Sequence, residues 1–397
     1  MRILHVISSL DPRHGGPPAV VIRLAAAQAA LEPGPHDVVR TAIATYHEPE
    51  ARARIEKARS AVPGGDRVPV HSLGPLGRLE RFAARGARSR LRDLAREFDL
   101  LYMHGVWSPV VPAGAGAARA AGVPYVIRPA GMLDPWSLRQ KALKKRIAMV
   151  MGYRAMLNGA LFMHTLNTDE RDLIVPLGLT CPLEVIPNGV FLQELTPLPD
   201  PGTFRAGHPE VGSDPFILFL SRLHYKKGLD YLADAFALVV ERFPRARLVV
   251  AGPDEGARGE FEAQVARLGV AARVHLVGGV YGPDKLAAFV DATCLCLPSR
   301  QEGFSVAITE ALACGLPAVV SRDCHFPEVG EAGAGEVVAL DAREVAEALC
   351  RILGDEARRA RMSRAGWDLV RTRFTWPSIA ARTLEVVRAR TGPARRS

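Results

Sequence analysis

The chain has few aromatic residues and no apolar run long enough to cross a membrane. Aromatic residues make up 6% of the 397 residues, and no stacking platform for nucleic-acid bases is evident, so a nucleic-acid partner is disfavoured. The absence of a long apolar run predicts a protein that is soluble or bound to a membrane surface. Hydrophobic residues at 48% and charged residues at 23% are typical of a globular protein.

The cysteines and histidines of the chain do not form a metal-ligand pattern. The six cysteines lie mostly in apolar runs, and Cys294 and Cys296 would share one face of a strand, which argues against a mutual disulfide. They are typical of small core residues in a reducing compartment. The sequence has neither two C-x-x-C motifs nor a cluster of histidines, so it does not predict a metal site. The first apolar run, residues 3–10, is too short for a signal peptide, so we expect a cytoplasmic protein.

The net charge of +9 and the pI near 9.5 favour polyanionic partners. Nucleotide sugars, anionic lipids and nucleic acid all fit that description. Composition alone does not choose among them.

Strand and helix patterns alternate in both halves, which predicts an α/β protein with a doubly wound parallel sheet in each half. A Pro-, Gly- and Asp-rich stretch begins at residue 196, so we predict one Rossmann-like domain over residues 1–195 and a second over 196–375. Such sheets place ligands at the carboxyl ends of their strands, and two facing halves would form a cleft. Residues 48–98 are predicted to be mostly helical, and residues 135–157 to be one basic helix.

The segment from Glu302 to Val320 is the most informative part of the chain. A short helix is predicted from Ser305 to Cys314, and its apolar sequence carries a single carboxylate, Glu310. A buried carboxylate needs a hydrogen-bonding partner, yet no cation lies within helical reach. The hydroxyl pair of a ribose would satisfy it, while the free N–H groups at the start of the helix would suit a phosphate.

The spacing of Glu302 and Glu310 resembles the E-x7-E signature of retaining glycosyltransferases of family 4, which have the GT-B fold. Residues 221–228, Ser-Arg-Leu-His-Tyr-Lys-Lys-Gly, resemble the R-x4-K segment of that family. Residues 1–20 resemble its first strand and glycine loop, and residues 186–190 its interdomain passage. Residues 374–376 and the helix after them resemble its terminal helix, which implies that residues 376–397 cross back onto the first domain. The matches follow the family's order over nearly the whole chain, and the loop after residue 128 is similar to a bacterial envelope-polysaccharide branch.

The resemblance implies a role for each residue in the second half. Arg222 and Lys227 would neutralise the departing nucleoside diphosphate, and Glu302 would hold hydroxyls of the donor sugar. Those three are the predicted catalytic residues. The remaining donor contacts are Phe304, Ser305, Val306 and Glu310 in the same half, with Gly16 from the first half. A solvated Arg/Lys turn and an exposed loop carboxylate remain the alternatives for the charged positions. No cofactor and no metal ion is expected beyond the nucleotide-sugar substrate.

The predicted acceptor-side residues lie in the first half. Gly15 and Gly16 follow the first strand and precede a helix, where backbone amides can approach a phosphate; a plain tight turn is the alternative. The family often has a histidine at the position of His104, which a purely structural histidine would also explain. The next strand lacks the family's usual histidine, and Arg128 is a hypothetical replacement for part of its charge.

The helix predicted at residues 135–157 has Leu143, Ile147 and Val150 at helical spacing among several basic residues. Such a surface could bind an anionic membrane, to which each basic residue would contribute about 1 kcal/mol. A solvated face over a core stripe is the alternative. The inner face of the membrane is therefore a candidate location.

The resemblance implies a retaining, metal-independent hexosyltransferase that moves a sugar from a nucleoside-diphosphate sugar to a glycan or lipid-linked acceptor, in cell-envelope or exopolysaccharide synthesis. Two other classes remain open. A sugar-nucleotide epimerase with the same fold would react without an acceptor, and a non-catalytic nucleotide-sugar-binding protein would not react at all.

Overall fold

The computed structural model describes residues 1–31, 38–77, 80 and 83–392. The chain divides into two units, one of Met1–Gly189 with the segment that begins at Trp376, and one of Val190–Thr375. Each unit has a parallel sheet with helices packed against it, which confirms the predicted α/β class.

The division between the units falls after Gly189, whereas the sequence places it after residue 195. Val190 and Leu195 are buried in the hydrophobic core of the second unit. The N–H of Val190 also donates to the carbonyl oxygen of Phe374 at 2.8 Å. These contacts assign the intervening residues to the second unit.

The sheet of the first unit is built from short, buried strands. They are β1 (Arg2–Val6), β2 (Arg40–His47), β3 (Val70–Pro75), β4 (Leu100–His104), β5 (Tyr125–Arg128), β6 (Phe162–Thr165) and β7 (Leu183–Val185). Among the described residues they are all parallel, in the order β3-β2-β1-β4-β5-β6-β7. The central strands are buried on both faces, as expected where helices cover a parallel sheet.

The helices of the first unit begin and end at residues that the sequence indicates only in part. They are α1 (Gly16–Ala29), α2 (Arg52–Ser60), α3 (Arg85–Ala95), α4 (Val110–Ala121), α5 (Pro135–Arg139), α6 (Ala142–Ala148), α7 (Arg154–Asn158) and α8 (Thr168–Ile174). Asn167 caps α8, because its side-chain oxygen accepts the Glu170 N–H at 2.7 Å.

The second unit repeats the alternation with a smaller sheet. Its strands are β8 (Phe216–Leu220), β9 (Arg247–Ala251), β10 (Val274–Gly278), β11 (Cys294–Leu297), β12 (Ala318–Ser321) and β13 (Gly335–Val338). The helices are α9 (Thr203–Gly207), α10 (Leu229–Arg242), α11 (Arg258–Arg267), α12 (Pro283–Asp291), α13 (Val306–Ala313), α14 (Glu328–Glu331), α15 (Ala342–Leu353) and α16 (Glu356–Arg373). The strand order is β10-β9-β8-β11-β12-β13. The last helix, α17 (Trp376–Thr391), packs against α1 in the first unit.

Two predictions about the first half are wrong in part. Residues 48–98 include the strand β3, which pairs with β2, so the Arg- and Ala-rich composition overstates helix there. The basic helix predicted at residues 135–157 is broken in two places, because Lys141 has a φ of 52° and Gly152 a φ of 118°. These left-handed residues end one helical segment and start the next.

Candidate functional site

A cavity of about 420 Å³ lies at the carboxyl ends of the strands of the second sheet. It is lined by residues that follow β8, β9, β10 and β11: Leu220, Ser221, Arg222, Lys227, Ala251, Gly252, Pro253, Gly279, Val280, Tyr281, Glu302, Phe304, Ser305, Val306 and Ala307. The doubly wound topology binds its ligands at this end of the sheet. Six predicted site residues line the cavity; of the predicted residues in this unit, Glu310 alone is not among them.

Two glycines allow the loops around this cavity to approach one another. Gly228 has a φ of 66°, and a Cβ atom there would lie 1.8 Å from the carbonyl oxygen of Pro298. Gly252 has a φ of 153°, and a Cβ atom there would lie 1.8 Å from the carbonyl oxygen of Ser221. Any other residue would push the backbones apart. Gly228 therefore allows the loop of Lys227 to lie against the loop that leads to Glu302, and Gly252 allows the loops after β8 and β9 to meet.

Lys227 and Glu302 form an ion pair in the wall of the cavity. The Lys227 Nζ donates to the Glu302 Oε1 at 2.5 Å, and the two side chains are only 11% and 9% exposed. The hydroxyl of Ser299 donates to the same carboxylate oxygen at 2.9 Å. Glu302 is thus not an exposed loop carboxylate, and Lys227 is not a solvated turn residue. The sequence predicts both residues for the site, but it does not predict that they contact each other.

Arg222 is the more accessible cation. Its Nη1 donates to Glu255 Oε2 at 2.7 Å, and its side chain is 60% exposed. An exposed ion pair of this kind contributes about 0–1 kcal/mol. An anion entering the cavity would therefore compete with a weak partner for this guanidinium.

Glu310 has a protein partner that the sequence did not reveal. Lys285, on α12, donates from its Nζ to Glu310 Oε1 at 2.7 Å. The expectation that the carboxylate depends on a ligand for its partner is therefore wrong, because the cation comes from a different helix and not from α13. The Glu310 side chain is 13% exposed, so the pair lies mostly out of water.

The predicted short helix after Glu302 is present as α13, with Ser305 as its N-cap and Gly315 in a left-handed conformation just beyond its end. The N–H groups of a first helical turn have no partners within the helix, and they attract anions. Phe304 packs against Phe326, with ring centroids 5.4 Å apart. This packing fixes the backbone that leads into the helix.

In the first unit, Gly15 and Gly16 lie at the start of α1. Gly15 is its N-cap residue with a φ of 85°, and Gly16 is its first helical residue. A Cβ atom at either position would meet no described atom within 4 Å. The turn therefore needs a glycine at Gly15 for its backbone angle, and both positions leave open space beside the helix.

His104 and Arg128 are register partners at the ends of β4 and β5, and both side chains are buried. The Nε2 of His104 contacts the Nδ1 of His5 at 3.0 Å, and Arg128 Nη2 donates to the Asn188 Oδ1 at 2.6 Å. Within the described residues, the Nδ1 of His104 and the Nε of Arg128 have no hydrogen-bond partner. His104 is thus only half satisfied as a structural histidine.

The apolar residues of the broken basic helix are exposed. Leu143, Ile147 and Val150 are 71%, 49% and 88% exposed, so they are not a core stripe and that alternative is wrong. A cavity of about 680 Å³ lies beside them. It is lined by Leu138, Ala142, Lys145, Arg146, Met149, Val150, Gly152, Arg154, Ala155, Asn158 and Leu177.

Several residues at these sites escaped the sequence analysis. Lys285 and Glu255 each pair with a predicted site residue, but they come from separate elements, and no short motif connects them with their partners. Tyr281 lines the cavity after β10, where its position just beyond a strand end was the available signal. No described helix has the length and apolar character of a membrane span, and no described group of three or more His, Cys, Asp or Glu residues could hold a metal ion.

Two family models match the chain. The model of glycosyl transferases group 1 matches residues 202–368, and that of the glycosyl transferase 4-like domain matches residues 15–189. Each match lies within one of the two units.

Relatives of known activity align with this chain across both of these matched regions. The phosphatidyl-myo-inositol mannosyltransferase of Mycobacterium leprae is 28% identical over 82% of each chain. The GDP-mannose-dependent alpha-(1-6)-phosphatidylinositol monomannoside mannosyltransferase of Mycolicibacterium smegmatis is 27% identical over 98% of each chain. The chain is thus similar to these enzymes along 82% and 98% of their lengths.

Solved structures share the fold. HepE of Anabaena in complex with UDP has a TM-score of 0.75 at 20% identity, over 98% of this chain and 99% of that one. WaaG, a glycosyltransferase involved in lipopolysaccharide biosynthesis, has a TM-score of 0.65 at 17% identity, over 97% and 99% of the two chains. With both units matched by glycosyltransferase models and the fold shared with a solved glycosyltransferase, the chain belongs to the GT-B glycosyltransferases of family 4.

Proposed function

We propose that this glycosyltransferase moves a hexosyl group from a nucleoside-diphosphate sugar to a lipid-linked or glycan acceptor, with retention of anomeric configuration and without an obligatory metal ion. The observation that carries the proposal is the Lys227–Glu302 pair, 2.5 Å apart, in a cavity that also contains Arg222 and the start of α13. Cations, a sugar-binding carboxylate and free helical N–H groups are the chemistry that a nucleotide sugar requires.

In this proposal each part of the donor has its own contacts. Arg222 and Lys227 bind the diphosphate, and Glu302 with the amides of Phe304, Ser305 and Val306 orients the sugar. Glu310 accepts from the ribose hydroxyls while Lys285 holds its other side. The shared fold with a UDP-bound structure and the similarity to GDP-mannose-dependent enzymes support a nucleotide-sugar donor. GDP-mannose is the first donor to test.

The proposed transfer is a front-face substitution. The bond between the anomeric carbon and the leaving phosphate oxygen breaks as the acceptor oxygen bonds to the same face of that carbon. The acceptor proton passes to the leaving phosphate oxygen, and the two cations stabilise the charge that develops there. With GDP-mannose the product would be an α-mannoside, which the one-bond coupling between the anomeric carbon and its proton identifies in an NMR spectrum. A β-mannoside would refute retention, and loss of transfer in EDTA, restored by added divalent metal, would refute metal independence.

The proposed acceptor contacts lie in the first unit, at Gly15, His104 and Arg128, with Gly16 as a further donor contact. Lipid-linked acceptors are favoured by the exposed Leu143, Ile147 and Val150 among basic residues, because such a face suits an anionic membrane surface. The names of the relatives, which act on phosphatidylinositol glycolipids, point to the same class. A role in synthesis of cell-envelope glycans at the inner face of the membrane would follow.

Thermal stabilisation by nucleotides tests the donor assignment first. The full chain is melted with GDP, UDP, ADP, dTDP or NAD, and the series is repeated with Glu310→Ala and Arg222→Ala. We expect stabilisation by one nucleoside diphosphate that both variants lose. Glu262→Ala is the control. Glu262 forms an exposed ion pair with Arg258, and this variant should respond like the parent chain. Absence of stabilisation by every nucleotide would contradict the donor assignment and would favour a scaffolding protein that does not bind nucleotides.

A second assay separates transfer from isomerisation. The stabilising nucleotide's sugar conjugate is incubated with the chain in the presence and absence of a phosphatidylinositol glycolipid. Transfer requires the acceptor, whereas an epimerase would change the sugar nucleotide without one. Conversion without acceptor would contradict the proposed transferase role.

A further inference from the structure

A chain of buried side chains connects α1 with the end of β4. The Oε1 of Gln28 lies 2.8 Å from the Nε2 of His5, and the Nδ1 of His5 lies 3.0 Å from the Nε2 of His104. Gln28 and His5 are fully buried, and His104 is 5% exposed. Polar groups buried in this way are held by one another, so the protons on the two rings are coupled.

Both imidazoles are neutral. Burial lowers the pKa of His5 from 6.5 to about 4, and burial, with the nearby charge of Arg128 among the lesser causes, lowers the pKa of His104 well below 6.5. A neutral imidazole has one N–H group and one lone pair. The two rings and the amide can therefore form this chain in only two directions.

In the structure the Gln28 amide oxygen faces His5 and the amide nitrogen is buried without a hydrogen-bond partner among the described residues, an orientation that corresponds to one of the two directions. The amide oxygen accepts from the Nε2–H of His5, so the Nδ1 of His5 presents its lone pair. It then accepts from the Nε2–H of His104, and the Nδ1 of His104 is left as an acceptor. The opposite direction would require the amide nitrogen of Gln28 to face His5.

The Arg128 end selects the same direction. His104 and Arg128 are register partners, and the guanidinium charge acts on the His104 ring. A lone pair on Nδ1 is favourable beside a cation, whereas an N–H group there would be repelled. The Nε–H of Arg128 and the Nδ1 of His104 both lack a hydrogen-bond partner among the described residues.

We propose that Gln28 and His5 are positioning residues that hold His104 as the Nε2–H tautomer, so that His104 Nδ1 and Arg128 Nε together bind one hydroxyl group. A hydroxyl is the matching chemistry, because it donates to the first nitrogen and accepts from the second. That this hydroxyl belongs to the acceptor rests on the proposed function; the tautomer itself does not.

The tautomer is tested by long-range proton–nitrogen NMR correlation on the full chain labelled with ¹⁵N-histidine. The signals of His104 are assigned by their loss in His104→Gln. We expect a protonated Nε2 and an unprotonated Nδ1 in the parent chain at neutral pH. A protonated Nδ1 would overturn the proposal, and the tautomer itself is read in the parent chain, with the variant used for assignment alone.

The role of Gln28 is tested with Gln28→Met, which keeps the size of the side chain and removes the acceptor. We expect a measurable fraction of the Nδ1–H tautomer at His104. His164 is an internal control, because its Nε2 lies 2.6 Å from the carbonyl oxygen of Ile186 and does not depend on Gln28. An unchanged His104 in this variant would overturn the positioning role of Gln28.

The bound hydroxyl is tested separately with a phosphatidylinositol glycolipid, whose addition should shift the His104 Nδ1 resonance in the parent chain. A chain with the expected tautomer and no such shift would overturn the acceptor assignment and would indicate that water occupies the position. Failure of nucleotide stabilisation with the expected tautomer would instead count against the proposed transferase, so the two failures are distinguishable.

Discussion

Lys227 and Glu302, 75 residues apart in the sequence, meet at 2.5 Å in a wall where each side chain is about nine-tenths buried. The contact couples two loops that follow different strands of one sheet, β8 and β11. Lys227 and Glu302 compensate each other's charge, so the pair can be buried without a ligand. Either charge buried alone would leave its desolvation uncompensated. A diphosphate and a sugar would then share contacts that the protein has already oriented.

Removal of either partner should therefore affect stability as well as transfer. Lys227→Met leaves the Glu302 carboxylate buried without its cation, which we expect to lower the free energy of unfolding by about 3–5 kcal/mol. Loss of a cation aimed at the departing phosphate should also lower the transfer rate by about 10²–10³-fold. Urea unfolding and initial rates with the identified donor measure the two effects.

The double variant Lys227→Met/Glu302→Gln is the matched control. Because neither charge remains, we expect it to recover most of the lost stability while transfer stays low. Transfer at the parent rate in Lys227→Met would contradict the assignment of this lysine to the leaving group.

The Glu310–Lys285 pair predicts a larger loss of nucleotide affinity when Glu310 is changed than when Lys285 is changed. Glu310→Gln removes the charge from a hydrogen bond to the ribose, and bonds to charged groups contribute about 1.5–3 kcal/mol, so affinity for the nucleoside diphosphate should fall at least about tenfold. Lys285→Met should cost less, since Lys285 orients the carboxylate and does not itself contact the ribose. Isothermal titration calorimetry measures both. Unchanged affinity in Glu310→Gln would remove Glu310 from the nucleotide site.

The buried histidines predict how stability depends on pH. Burial lowers the pKa of His5 to about 4 and holds the pKa values of His104 and His164 well below 6.5. Between those values and 6.5 the unfolded chain binds protons that the folded chain does not, so stability is complete above about pH 6.5 and is lost as the pH falls towards 4. The loss should reach up to about 1.4 kcal/mol per pH unit for each histidine.

Urea unfolding between about pH 7 and pH 5 tests this dependence. His5→Gln has a side chain that is neutral at every pH, so the slope should decrease by one histidine's share. An increase in stability on acidification would contradict the prediction.

Local patterns in the sequence, with the family resemblance that they carry, predicted the two parallel sheets and six of the residues that line the second unit's cavity, because strand ends and short motifs are short-range features. Contacts between separate elements were not predictable in this way. Lys285 reaches Glu310 from another helix, and Gln28 reaches His5 from α1, so neither has a signature at fixed spacing. The strand β3 was missed because its sequence lies in an Arg- and Ala-rich stretch, where pairing with β2 outweighs local helix propensity.

The exposed face formed by Leu143, Ile147 and Val150 predicts binding to anionic membranes. Replacing all three with serine removes the apolar contribution, and Lys144→Glu/Arg146→Glu removes the electrostatic one, at about 1 kcal/mol for each cation lost. We expect both variants to float poorly with vesicles of phosphatidylglycerol and phosphatidylcholine, and the parent chain to release at high salt. Val175→Ser/Leu198→Ser changes exposed apolar residues elsewhere and should bind like the parent. If this face binds the membrane, its variants must float less than the parent chain. Equal flotation by all these chains would contradict a membrane role for this face.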